Sequence, residues 1–140
     1  MSEQAAQLSD TCQSCGVLCT GWAVQLTREG RLRWEVEWEC DACGTISHEG
    51  KWGSAPPEVR NVILAQHGYH CLQLADRESR GGAILKAFRD AFDLTIRQAQ
   101  ESASKLKKTG YEGTYVETLF LSELLQGGGV ATVLRPGSCA

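Results

Sequence analysis

Between residues 22 and 39 apolar and polar positions alternate. Trp22, Val24 and Leu26 are interleaved with Ala23, Gln25 and Thr27, and after Arg28-Glu29-Gly30 the pattern resumes with Leu32, Trp34, Val36 and Trp38 against Arg33, Glu35, Glu37 and Glu39. A period of two marks a half-buried strand, and a glycine-bearing turn between two such runs predicts a hairpin. Past residue 53 the period changes. Val59, Val62, Ile63 and Gln66 share one side of a helix over 57–67, with Pro57 in its first turn and Gly68 as its stop. Residues 69–74 read as a strand.

Three further helices have legible faces or ends. The first, over 82–92, buries Ile84, Leu85, Phe88, Ala91 and Phe92 and turns Lys86, Arg89 and Asp90 outward. The second opens on the capping box Thr95-Ile96-Arg97-Gln98 and buries Ile96, Ala99 and Ala103. The third opens on Thr114-Tyr115-Val116-Glu117, buries Val116, Leu119, Phe120 and Leu124, and is stopped by Gly127-Gly128-Gly129. Residues 130–134 form a closing strand. The expected class is α+β: a small β-hairpin module followed by a compact α/β sandwich, with helices packed on one face of a small sheet.

Two C-x2-C pairs flank the hairpin, Cys12/Cys15 and Cys40/Cys43, each followed at once by a glycine, Gly16 and Gly44. Two residues of spacing let both sulfurs of a tight turn reach one ion, and two such turns complete a tetrahedral set of four thiolates. The pattern is that of a zinc ribbon holding one structural Zn²⁺, with no coordination position left open for catalysis. Such a module has little core beyond its aromatic face, and in small metal-dependent domains zinc supplies ~10–16 kcal/mol of apparent binding energy. Cys19 extends the first pair to C-x2-C-x3-C and is an alternative ligand. His48 reads as a loop histidine. His67, His70 and Cys71 form a weaker second grouping, because the helix end and the strand hold them apart. Cys71 and Cys139 read as a buried thiol and a loose tail.

The domain boundaries that follow are 1–53 for the ribbon, 54–68 for a connector with a short helix, and 69–140 for the α+β domain. Charge follows the same division. Residues 1–60 hold nine acidic and five basic side chains, whereas residues 77–108 hold eight basic and four acidic ones. With a net charge of −3 over 140 residues, the chain as a whole has no electrostatic footprint for nucleic acid. No apolar run reaches the ~20 residues of a membrane span, and the opening MSEQAAQLSD has neither the basic start nor the apolar stretch of a signal peptide. The expected setting is therefore the cytoplasm, where cysteines point to metal more than to disulfides.

The run Ile84-Leu85-Lys86-Ala87-Phe88-Arg89-Asp90-Ala91-Phe92-Asp93-Leu94-Thr95-Ile96-Arg97-Gln98-Ala99 resembles the C-terminal domain of the bacterial ribosomal stalk protein, the acidic large-subunit protein. That family carries an apolar pair, Lys, Ala, an apolar residue and Arg, then a Gly-Leu-Gly-Leu corner and a second helix. A capped helix, a glycine and a final apolar strand follow, as over 114–134 here. In the stalk family the first two helices recruit translation GTPases, so the resemblance implies a partner-binding face with Lys86 and Arg89, and Arg97 on the neighbouring helix. The corner glycines are Asp93 and Thr95 in this chain, and no dimerisation helices or hinge accompany the domain. A protease adaptor that captures N-terminal degradation signals shares the general fold.

No G-x-S-x-G, phosphate-binding loop or H-E-x-x-H motif occurs. The sequence thus points to a non-enzymatic zinc-binding protein that holds another protein: a translation factor, a toxin or a regulatory partner, in the manner of an adaptor or an immunity-type inhibitor. The competing reading is an RNA- or nucleic-acid-binding zinc ribbon. Against it stand Glu35, Glu37 and Glu39 along one strand face, which repel phosphate.

Overall fold

A computed structural model describes residues 2–76 and 81–139. Two antiparallel sheets and four helices build a mixed α+β structure, and the chain divides into two compact units, Met1–His67 and Gly68–Ala140. Two of the basic residues in the 77–108 stretch, Arg77 and Arg80, lie outside the described residues.

The first unit is a four-stranded sheet in the order β1-β2-β3-β4, with β1 Glu3–Thr11, β2 Leu18–Arg28, β3 Arg31–Glu39 and β4 Ile46–Trp52. The central pair is the hairpin expected from the alternation, in register Ala23↔Val36 and Arg28↔Arg31. Its turn residues Glu29 and Gly30 both have positive φ, 55° and 70°, the two-residue geometry whose twist matches that of the flanking strands. The outer strands β1 and β4 were not legible in the sequence. Gln4, Gln7 and Ser9, like Ser47, His48 and Glu49, are polar enough to hide a strand that leans on one neighbour only.

Helix α1, Pro57–His67, is no connector. Val59 and Ile63 pack with Ala6, Ala23 and Trp34 in one buried cluster, so this helix supplies the second layer that lets the sheet bury a face. Leu64 is also buried, whereas Val62 sits at the margin of the cluster.

The second unit holds a three-stranded sheet, β6-β5-β7, with β5 His70–Leu74, β6 Tyr111–Gly113 and β7 Thr132–Pro136. Around it lie α2 Gly81–Phe92, α3 Ile96–Lys108 and α4 Tyr115–Gly127. Helices α3 and α4 contact β5, and α2 packs on both helices. The three-residue β6 is too short to leave a periodic trace. Both capping boxes form as expected, at Thr95 with Gln98 and at Thr114 with Glu117.

Several faces differ from expectation. Ile96 is 55% exposed, because the first residue of α3 stands clear of the stripe formed by Ala99, Ala103 and Leu106. In α4 the deepest apolar residues are Val116, Leu121 and Leu125, while Leu119 and Leu124 are half-buried. The helix is covered on several sides, and its hydrophobic run therefore does not single out one face.

Candidate metal centre

Each C-x2-C pair closes a turn between two strands, and the two turns are near copies. In the first, the Gly16 N–H donates to the Cys12 carbonyl (2.8 Å) and the Cys12 N–H to Val17 (2.8 Å); in the second, Gly44 donates to Cys40 (2.7 Å) and Cys40 to Thr45 (2.9 Å). Gly16 and Gly44 share φ values of 76° and 75°. Each glycine takes the left-handed conformation that lets the chain re-enter a strand just after the second sulfur.

The β1–β2 turn and the β3–β4 turn bring the four cysteines together. All four sulfurs lie within 4.8 Å of one another, the only such grouping of metal-binding side chains among the described residues. Cys12 Sγ lies 3.8 Å from Cys43 Sγ, and Cys15 Sγ 3.5 Å from Cys40 Sγ. Thiolate bonds of ~2.3 Å in a tetrahedron set sulfurs ~3.8 Å apart. The cluster therefore fits a single ion with Cys12, Cys15, Cys40 and Cys43 as its complete ligand set.

The local electrostatics are those of crowded thiols. Thr45 holds the Cys43 thiol down to about 6, through its hydroxyl and then its backbone N–H; the hydroxyl oxygen is 3.0 Å from the sulfur. The backbone N–H groups of Cys15 and Ser14 lower Cys12. At Cys15 the backbone N–H of Val17 pulls downward, but the neighbouring Cys40, burial and the other sulfurs together push the thiol up to about 12. Four adjacent sulfurs do not all ionise unless a cation joins them. Thr45 and Val17 are contributors that the sequence did not flag; their signal is their equivalent place, directly after the glycine of each turn.

Cys19 is buried beside Cys12 and Cys40 but lies outside the four-sulfur group. Burial, then the charges of Cys12 and Cys40, raise its thiol. It backs the centre as a neutral thiol. His48 lies in β4, not in a loop, with Nε2 at 3.3 Å from Glu35 and 3.9 Å from Glu37. Arg31 and Arg33 both stack over the Trp52 ring, at 4.6 and 5.1 Å.

In the second unit the basic residues of α2 and α3 are exposed but accompanied. Lys86 lies 3.4 Å from Asp90 and Arg97 3.6 Å from Glu101. Arg89 lines a shallow hollow with Lys86, Leu85, Asp90 and Asp93. The thiols Cys71 and Cys139, expected to be a buried thiol and a loose tail, form a disulfide instead. The tail is tied to the sheet a second time, where the Cys139 N–H donates to Glu112 (2.7 Å). With Cys71 in that bond, the grouping of His67, His70 and Cys71 loses its sulfur ligand.

Comparison with known proteins adds no relative: no family model, curated protein or solved structure matches the chain. The likeness of residues 84–99 and 114–134 to the ribosomal stalk domain has no support from these comparisons.

Proposed function

We propose that this chain is a non-enzymatic zinc-binding protein that holds a protein partner, with the metal fixing the first unit and the α2–α3 surface making the contact. The observation that carries the reading is the closed four-sulfur cluster. Zinc is the ion that best suits four thiolates in a tetrahedron, and a complete thiolate shell leaves no position for substrate or water. The metal then acts as a folding element for a unit whose sheet is covered by one short helix.

Lys86, Arg89 and Arg97 form the contact surface in this reading. The ion pairs of Lys86 and Arg97 are exposed i,i+4 pairs of small worth, so a partner carboxylate can displace them at little cost. Arrangements of this kind suit an adaptor, a translation-associated regulator or an inhibitor of a toxin. The positions of Arg31 and Arg33 on Trp52, with Arg33 also 3.6 Å from Glu35, weigh against phosphate binding at the hairpin turn. The Cys71–Cys139 bond weighs against a strongly reducing compartment, the setting expected from the lack of a membrane-spanning run and of signal-peptide features in the sequence.

The test combines metal analysis with capture. The purified chain is expected to hold one zinc ion. Immobilised protein is expected to retain a single protein partner that the double variant Lys86→Glu/Arg89→Glu does not. Equal retention by both forms overturns the α2 contact surface, and recovery of RNA alone, sensitive to salt, overturns the protein-partner reading.

A further inference from the structure

Beside the metal centre, on the face of the sheet that α1 covers further along, lies a hollow of about 280 Å³. Its floor is made by Cys19 and Trp38, and its walls include Asp10, Ser14, Thr45 and Ser47. The register explains the convergence. Gly21 stands opposite Trp38 and Trp38 opposite Ser47, and two residues along β2 Cys19 stands opposite Asp10, so the four strands present residues from two adjacent levels of one face.

Gly21 sets the position of the floor. A Cβ on this residue would meet the Glu37 carbonyl oxygen and lie 2.8 Å from the Trp38 indole, so the missing side chain lets both the β3 backbone and the ring lie close over β2. Glycine inside a strand commonly marks such a close approach. The ring leaves Trp38 half-buried, with part of the indole facing the open volume.

The charge of this hollow has one sign. Two of its lining groups, Cys12 and Cys40, are ligands of the centre, and four thiolates around a divalent ion carry a net charge of −2. Asp10 adds a carboxylate, one oxygen of which accepts the Thr11 N–H at 2.7 Å and leaves the other available. No basic side chain among the described residues lines the volume. Its size falls just below the ~300–1,000 Å³ of small-molecule sites and suits one long side chain.

We infer that this hollow is a receptor for an arginine side chain presented by a partner polypeptide. The indole offers a face on which a planar guanidinium stacks. Asp10 accepts its N–H groups in a charge-assisted pair, and the hydroxyls of Thr45 and Ser47 accept further donors. The inference rests on the four-thiolate centre and deepens the protein-binding reading by giving the ribbon its own contact, separate from Lys86 and Arg89.

The experiment is an NMR titration of the zinc-loaded, ¹⁵N-labelled full chain with the peptide acetyl-Gly-Arg-Gly-amide. Parallel titrations use the same peptide carrying lysine or the neutral isostere citrulline. Saturable shifts are expected at the Trp38 indole N–H and the Asp10 and Ser47 amides, with citrulline weaker by about tenfold or more, a step of ~1.4 kcal/mol. Asp10→Asn is expected to reduce the preference for arginine over citrulline severalfold while zinc stoichiometry stays at one. Trp38→Phe, which keeps an aromatic floor, is expected to retain weakened binding.

Equal shifts with arginine and citrulline, a stronger response to lysine, or shifts confined to the Glu35–Glu37 face would each overturn the assignment. Metal content and capture through Lys86 and Arg89 are measured separately, so failure of the hollow is distinguishable from failure of the wider reading.

Discussion

The side-chain amide of Gln66 grips the backbone of Gln7: its Oε1 accepts the Gln7 N–H at 3.0 Å and its Nε2 donates to the Gln7 carbonyl at 2.8 Å. One residue on, His67 Nε2 lies 2.7 Å from the Ala5 carbonyl. Strand β1 is an edge strand, and the last turn of α1 thus satisfies backbone groups that a foreign strand would otherwise pair with.

Gln66→Leu is expected to uncover that edge. The loss of two exposed hydrogen bonds should lower stability by about 1 kcal/mol or less. The sharper readouts are faster amide exchange at Gln7 and a rise in self-association by sedimentation velocity. Unchanged exchange at Gln7 would mean that the amide grip contributes nothing in solution.

Cys40→Ser removes a buried ligand that also anchors the second turn. The variant is expected to lose its zinc and the dispersed amide signals of the first unit, while the helical circular dichroism of α2, α3 and α4 persists. Full metal stoichiometry in this variant would show that the ligand set is wrong.

Metal entry should release protons, and the sign follows from the thiols. At neutral pH the Cys43 thiol, held at about 6, is mostly ionised, whereas Cys15, pushed up to about 12, keeps its proton until the ion displaces it. Lowering the pH below 6 protonates Cys43 as well, so more protons compete and affinity falls. Calorimetry in buffers of different ionisation enthalpy is expected to show net proton release at pH 7 and weaker binding at pH 5. Affinity independent of pH would contradict thiolate ligation.

The Cys71–Cys139 bond spans 68 residues of sequence, and cross-links of long loops stabilise chiefly by restricting the unfolded chain. Replacing both cysteines by alanine should destabilise the second unit by about 2–4 kcal/mol and leave the metal site intact. Gly110→Ala is expected to damage the same region, because a Cβ there would lie 2.8 Å from Cys139 Sγ and φ is +120°. Identical melting of oxidised and reduced protein would show that the bond carries no stability.

Local chemistry was legible wherever it repeats at short range. The two cysteine turns with their glycines, the β2–β3 hairpin, both capping boxes and the outward set of Lys86, Arg89 and Asp90 all follow from neighbours within four residues in the chain. The corner after α2 is an instructive case. Asp93 has a φ of 53°, and an aspartate tolerates the left-handed region better than most residues.

What the chain determined by itself was the two cysteine turns of the four-sulfur cluster, the class of fold and the charge asymmetry, because spacing, period and composition act locally. The tertiary structure alone decided that α1 roofs the first sheet, that polar β1 and β4 flank it, that Cys71 meets Cys139, and that Trp38 lies on Gly21 beside the metal centre. Those pairings join residues tens of positions apart. Their energy comes from burial and register between elements, and no local pattern records which distant partner an apolar or polar position will find.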